Sequence, residues 1–341
     1  MINKDIKLTL DDVNIVPAVI TGVNSRTECD PTYRNKLPIF ISPMSCITDE
    51  YFASKYENYD LTPIVPTTVG IISRLSLTKK GKWCAYSLKE FEENFIKVEQ
   101  QYKNTFKVCI DCANGHMEQL LYACQTAKHI YGNSIKIMTG NIACPETLHY
   151  YENYVDYVRL SIGSGGACTT AVNTGIYYPS ASLIEECRTI KDSRDYKIKL
   201  IADGGLVTYG QMIKALALGA DYIMLGSTIL HCSDAGTSRV FDKNGRIIGN
   251  KYWGMSTEKA QRQRGFTDMK IEEGFNTVIP VDRTLGQFVR EFASYLASTM
   301  SYCDKRTLKD FIGKVSLIRV TDTSYKQYSK NKPFNSHYED N

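Results

Sequence analysis

Nowhere in its 341 residues does the chain carry the roughly 20 consecutive apolar residues that a membrane-crossing helix needs, so no membrane partner is expected. Charge of one sign is also scarce. The net charge is +4 and there is no dense Lys/Arg stripe, which argues against a nucleic-acid partner, although a mild positive excess suits an anionic substrate. Met1–Asp12 alternates polar and apolar residues without a continuous apolar run. It does not read as a signal peptide, and a cytoplasmic location is expected. The five histidines are dispersed and make no metal-type spacing. Cysteine, by contrast, is plentiful. Eleven cysteines scattered along a chain of this length do not read as a disulfide framework, and free thiols in a reducing compartment are expected.

What is present is a rhythm. Short apolar, β-branched runs predict strands at Leu37–Ser42, Leu61–Val65, Trp83–Tyr86, Phe106–Ile110, Ile135–Thr139, Tyr157–Ser161, Lys199–Ala202 and Tyr222–Leu225. Most lack strict polar alternation, as parallel strands covered on both faces do. Helical spacing recurs between them. Leu183, Ile184, Cys187 and Ile190 follow a start at Pro179–Ser180. Tyr209–Leu218 has Thr208 as N-cap and Gly219 as stop, and Pro145 suits a first helical turn after Asn141. Eight strands alternating with helices predict a (β/α)8 TIM barrel, with an open doubly wound sheet as the structural alternative.

Ser233–Pro280 breaks the rhythm. Asp242-Lys-Asn-Gly245 between two apolar runs reads as a hairpin, and Thr257–Glu273 is a polar, charged stretch. A long insertion after the last barrel strand sits on the catalytic face, so a flap is expected at about 257–280. Leu285–Met300 resumes a helical pattern. Residues 1–323 are read as one barrel domain, and the polar tail 324–341 is expected to be poorly ordered.

Barrel active sites lie at the C-terminal strand ends, and phosphates bind there after the seventh and eighth strands. The seventh strand ends in Asp203-Gly204-Gly205 and the eighth in Gly226-Ser227. Glycines there expose backbone N–H groups that cradle a phosphate, and Asp203 can accept from two ribose hydroxyls. Alternatively, these glycines only serve tight turns. The sixth strand runs into Ser161-Ile-Gly-Ser-Gly-Gly-Ala-Cys168-Thr-Thr170. So much glycine, serine and alanine bends the loop sharply and places Cys168 at the pocket mouth as a candidate nucleophile, with Thr170 beside it. The alternative for Cys168 is a small buried cysteine. Cys109-Ile-Asp-Cys112 spans a strand end and has no partner pair, so it reads as structural, and Asp111 is its residue of interest. His116 is at most a supporting residue.

The Cys168 loop resembles the cysteine loop of the IMP dehydrogenase/GMP reductase family. So do Leu8–Pro17 (LTLDDVNIVP), Asp111–His116 (DCANGH), Thr139–Ile142 (TGNI), Ala202–Gly205 (ADGG), Met224–Ser227 (MLGS) and Gly254–Thr257 (GMST), in the family's order. The resemblance implies a purine mononucleotide whose C2 is attacked by Cys168, with a nicotinamide cofactor giving or taking a hydride there. It implies that Asp203 holds the ribose and that Gly166, Gly205, Gly226, Ser227 and Tyr252 surround the phosphate. Met255, Ser256, Lys270 and Gly274 would lie against the substrate. Asp111, Ala113 and Asn141 would line the cofactor side. It further implies a homotetramer, and it allows a monovalent cation (K+) at Gly163, Gly165 and Cys168.

Branch features favour the reductase. The chain has no room for the CBS-domain insertion usual in the dehydrogenases, and its flap has Arg262 and Arg264 but no Arg–Tyr pair. Glu273-Gly274 looks like the reductase pattern, in which the glutamate and the threonine after the cysteine, here Thr170, protonate departing ammonia. Ser301–Val320 is reductase-like too. The implied reaction is GMP plus NADPH to IMP, ammonia and NADP. The alternatives are NAD-dependent IMP dehydrogenase and a non-catalytic nucleotide-binding barrel. Several positions depart from the family: Gly166 replaces a serine, Ser164 a proline, Ala171 a basic residue, Ser180 a glutamine and Lys270 an arginine, and Pro63–Ser73 matches neither branch.

Overall fold

The computed structural model describes residues 5–97, 105–265, 267, 268, 271 and 274–329. Eight parallel strands close into a barrel: β2 (Ile39–Ile41), β3 (Thr62–Val65), β4 (Trp83–Tyr86), β5 (Phe106–Ile110), β6 (Ile135–Ile142), β7 (Tyr157–Leu160), β8 (Lys199–Asp203) and β9 (Tyr222–Leu225), with β9 pairing back onto β2. All eight expected strands are present. β2 is three residues shorter than expected, and β6 runs three residues past Thr139 because Gly140 and Ile142 continue the pairing with β7 across a register shift.

Helices alternate with the strands as the spacing predicts. They include α1 (Glu50–Glu57), α2 (Ile71–Lys79), α3 (Leu88–Phe91), α4 (Glu118–Tyr131), α5 (Leu148–Tyr151), α6 (Thr170–Thr174), α7 (Ser180–Ser193) and α8 (Tyr209–Leu218). Thr208 caps α8 by accepting from Gln211 N, and Gln211 bonds back to the Thr208 N–H, a reciprocal capping box that fixes where the helix starts. Pro145 opens a 3-10 turn, Pro145–Thr147, that leads into the short α5. The outer core is the layer of strand and helix side chains packed on one another.

The barrel interior is filled, not hollow. Phe40, Ile64, Trp83, Ala85, Cys109, Met138, Ile201 and Met224 form its apolar plug. At its N-terminal end Phe40, Trp83, Tyr157 and Tyr222 meet with ring centroids 5.2–5.8 Å apart, mostly edge to face. Two matching ion clusters close that end. Asp156 and Asp221 each stand one residue before a strand. Asp221 accepts from Lys191 (2.6 Å), Lys199 (2.8 Å) and the Leu200 N–H (3.0 Å). Asp156 accepts from Lys128 (2.7 Å), Lys136 (2.7 Å) and the Ile137 N–H (3.0 Å).

After β9 the chain forms an antiparallel sheet of β10 (Arg239–Phe241), β11 (Ile247–Trp253) and β12 (Asn276–Pro280), so the Asp242–Gly245 hairpin is as expected. Between β11 and β12 lies α9 (Glu258–Gln263). The sheet is followed by α10 (Leu285–Tyr302) and α11 (Leu308–Phe311), and β13 (Leu317–Arg319) pairs with β1 (Val13–Ile15). Of the tail expected to be poorly ordered, 324–329 lies in a helix, α12 (Asp322–Ser329), and 330–341 lies outside the described residues. Its composition is polar, but Tyr328 bonds Asn14 at 3.2 Å and receives Lys214 Nζ at 3.4 Å, so tertiary contacts fix what propensity alone did not. No helix of the described residues is long and apolar enough to cross a membrane. All eleven cysteines are unpaired, most of them buried.

Candidate active site

The Cys168 loop after β7 meets the ends of β8 and β9 and the sheet that follows them. The loop after β7 is bent hard. Ser161, not a glycine, takes a left-handed φ of 99°, and its hydroxyl bonds Ser164 at 2.7 Å. Ser164 in turn donates to the Asp203 carbonyl at 3.1 Å, tying this loop to the end of β8. Gly163 has φ +78°, and a Cβ there would meet Ala171 at 2.7 Å, so the bend needs glycine. The Cys168 N–H closes a turn on Gly165 O at 2.9 Å. Cys168 is half-buried, and its Sγ donates to Thr170 Oγ1 at 3.2 Å.

The flap returns across Cys168. Gly274 pairs with Cys168 as an isolated antiparallel bridge, and the Phe275 N–H reaches Ala167 O at 3.3 Å. A Cβ on Gly274 would lie 2.9 Å from Ala167 O, and one on Gly254 would lie 3.2 Å from the same oxygen. Two glycines thus let β11 and the strand leading into β12 pass in backbone contact with the cysteine loop. Glu273 and Lys270 lie outside the described residues.

On the phosphate side expected from the sequence, Gly166, Ser227 and Tyr252 come together. A Cβ on Gly166 would lie 3.1 Å from Ser227 Oγ and 3.8 Å from the Tyr252 hydroxyl. The side chain missing at Gly166 therefore leaves room that these two hydroxyls border. Burial pushes the Tyr252 phenol up, so it stays protonated and able to donate. Gly226 caps the 3-10 turn Ser227–His231, and Gly205 approaches the Ser164 carbonyl. Met255 lies against Ser45, and Ser256 is exposed with its carbonyl bonded by Gln261 at 2.9 Å.

Across the mouth, Asp203 Oδ2 accepts from Asn141 Nδ2 at 2.9 Å, and the same amide reaches Ser161 O at 2.9 Å. Burial pushes the Asp203 carboxyl up, against the pull of Arg159 and Asn141. Asp111 is partly exposed and pairs with Arg159 at 3.0 Å. Ala113 is exposed in the loop after β5, with no contact that ties it to the cysteine. Cys109 is part of the barrel plug and Cys112 donates to Gly140 O at 3.2 Å. His116 has a supporting role: Nε2 accepts the Ala143 N–H and Nδ1 meets Thr147, each at 3.0 Å. The described residues contain no His/Cys/Asp/Glu group able to hold a metal ion.

Sequence reasoning missed two parts of this site. The first is Arg159, only 4% exposed and 3.8 Å from Asp203 in addition to its Asp111 contact. Its signal was visible: a lone charge inside the apolar strand Tyr157–Leu160, on the same face as Tyr157. The second is a relay in which Trp253 Nε1 donates to Ser45 Oγ (3.1 Å) and Ser45 donates to Gln263 Oε1 (2.7 Å), fastening α9 to the loop after β2. Nothing in the local sequence marks Ser45.

Comparison with known proteins places the chain in a family. A profile of the IMP dehydrogenase / GMP reductase domain matches residues 79–330. The chain is 26% identical to GMP reductase 2 of Homo sapiens over 94% of its own length and 96% of that protein. It is 30% identical to GMP reductase of Yersinia enterocolitica over 66% of its length and 64% of that protein. It is also 29% identical to inosine-5'-monophosphate dehydrogenase of Chlorobaculum tepidum over 64% of its length and 46% of that protein.

Proposed function

The chain belongs to the IMP dehydrogenase/GMP reductase family, and from that premise we propose that it is a purine nucleotide oxidoreductase acting as a GMP reductase: GMP, NADPH and a proton give IMP, ammonia and NADP+. The observation that carries the reading is the backbone pairing of Cys168 with Gly274. It draws the flap's return strand, with Glu273 next in sequence, to a cysteine whose thiol already contacts Thr170.

In this reading Cys168 Sγ attacks purine C2. The C2–N bond breaks, and the amine leaves as ammonia with a proton delivered by the Thr170–Glu273 pair. A nicotinamide held by Asp111, Ala113 and Asn141 would supply a hydride to C2 as the C2–S bond breaks and the Cys168 thiolate leaves. Gly166 opens the space between Ser227 and Tyr252, whose hydroxyls, with the backbone of Gly205 and Gly226, hold the phosphate. Asp203 takes the ribose hydroxyls, Met255 and Ser256 flank the base, and Lys270 is a further substrate-binding residue in this reading. The residues present fit a nicotinamide: Asp111 offers a partly exposed carboxylate for the carboxamide N–H, Asn141 an amide, and Ala113 a small wall. The same reading carries a homotetramer, and a K+ ion at the carbonyls of Gly163, Gly165 and Cys168.

The test is an absorbance assay. Protein with GMP and NADPH is expected to consume the nicotinamide signal. Protein with IMP and NAD is expected to leave its mixture unchanged. Signal gain in the second mixture would instead establish the dehydrogenase. Silence in both, with GMP binding intact by calorimetry, would establish a non-catalytic barrel.

A further inference from the structure

Arg159 is a charged side chain in the barrel interior, on the inward face of β7 two residues above Tyr157 of the plug. Its Nη2 lies 3.0 Å from Asp111 Oδ1 and its Nη1 lies 3.8 Å from Asp203 Oδ2. Its Nε is buried with no hydrogen-bond partner. One guanidinium is therefore shared by two carboxylates from non-adjacent strands, with charge left over on the carboxylate side.

Among the described residues, the other groups facing this triad are uncharged except Arg264, which acts on Asp111. From β5, burial pushes the Cys109 thiol up to about 12 and the Cys112 thiol up to about 11, so both are neutral. Asn141 of β6 is uncharged, and Tyr252 of β11 stays protonated. Arg264, at the C-terminus of α9, lies close enough to feel Asp111 but bonds Met255 O at 2.6 Å.

We propose that Arg159 is a positioning residue, a single cation that orients Asp203 and Asp111 together and so sets the nucleotide side and the cofactor side of the mouth as one unit. The assignment of those two sides rests on the function proposed above. Without the guanidinium, the partly buried Asp203 and Asp111 lose their shared cation. Asp203, whose carboxyl burial already pushes up, is then the one that takes up a proton. Asp203 then loses an acceptor for the ribose.

Arg159→Met keeps the bulk and removes the charge. Calorimetric affinity for GMP and for IMP is expected to fall by at least about tenfold at pH 7 and to recover in part by pH 9, while the wild type stays flat. Arg159→Lys, which keeps the cation, is expected to stay within about threefold of wild type and equally flat. Equal binding by Arg159→Met overturns the proposal. So does a loss of the same size at every pH without rescue by lysine, because that marks a packing role.

A nucleotide-free measurement separates this proposal from the functional one. In Arg159→Met the folded carboxyl pKa lies above its unfolded value, so its contribution to stability is present at low pH and lost as pH rises through the folded value. Its Tm is expected to diverge downward from wild type between pH 5 and pH 9, and the divergence is expected to vanish in Arg159→Met/Asp203→Asn. If the wild type binds neither GMP nor IMP, the functional reading fails and the Tm profiles alone decide. Parallel profiles, or divergence that persists in the double variant, overturn the role of Arg159.

Discussion

At the N-terminal end of the barrel, Asp221 is gripped by two lysines and a backbone N–H, and Asp156 repeats the arrangement. At the C-terminal end the ratio inverts. One arginine is divided between Asp111 and Asp203, and its Nε is left without a partner. The lower clusters are saturated: every carboxylate oxygen has a cation within 2.8 Å. The upper one is not, and it sits under the mouth where Cys168 stands. The difference separates what holds the barrel together from what is kept unfinished for a ligand.

If that division is correct, substitutions at the two ends fail in different ways. Cys168→Ala should abolish turnover, by at least about a thousandfold, while leaving the urea midpoint and GMP affinity near wild type. Retained turnover would remove the covalent step. Asp221→Ala should do the opposite. It strands Lys191, which is 7% exposed, without its carboxylate, and it orphans the Leu200 N–H. The expected cost is about 3–5 kcal/mol in urea unfolding, with the folded fraction fully active. A stability loss below about 1 kcal/mol would show that the lower clusters are ornamental. Asp156 and Lys128 are more exposed than Asp221 and Lys191, so Asp156→Ala should cost less than Asp221→Ala.

The flap offers an intermediate case. In Gly274→Ala the new Cβ would sit 2.9 Å from Ala167 O, a backbone atom with little freedom to yield. The return strand should lift from Cys168, and kcat should fall by about 10–100-fold with a much smaller change in stability. An unchanged kcat would detach the Cys168–Gly274 pairing from catalysis.

The comparison also shows what a sequence can disclose. The eight strands were legible because parallel strands buried on both faces are short apolar runs, and the bounds of α8 were legible because Thr208 is an N-cap residue and Gly219 a stop. Cys168, Thr170, Asp203 and Ser227 were legible because they sit in glycine-rich strand ends, where barrels do their chemistry. Arg159 was passed over because an arginine within a strand reads first as a break in the apolar pattern. Its meaning depends on Asp111 and Asp203, 48 and 44 residues away in sequence. The Ser45 relay was illegible for the same reason: its partners, Trp253 and Gln263, are more than 200 residues distant. The helix at Asp322–Ser329 was missed because its anchors, Asn14 and Lys214, also come from remote parts of the chain.

The smallest expected effect is also the sharpest test of what the lower cluster contributes. Burial pushes the Asp221 carboxyl up, yet Lys191 and Lys199 together outweigh it and hold the group below the usual aspartate range. Burial also pulls the Lys191 ammonium down, against the attraction of Asp221. Desolvating both ions therefore takes back much of what their attraction gives. Replacing the pair as a unit should then be nearly neutral, provided the one contact that is not ionic survives. Lys191→Met/Asp221→Asn meets that condition, because the asparagine carbonyl can still accept from the Leu200 N–H and methionine matches the apolar stem of the lysine. Lys199 is then left without its carboxylate, but its side chain is 44% exposed and water can serve it. The double variant should lie within about 1 kcal/mol of wild type in urea unfolding at pH 7, although Asp221→Ala alone costs several times that. It should also lose the acid sensitivity that a carboxyl with a depressed pKa confers: wild-type stability from this group is lost as pH falls through that value, and the asparagine has none to lose. A double variant as unstable as Asp221→Ala would mean that the ion pair itself, not the avoidance of a stranded charge, holds the barrel's lower end.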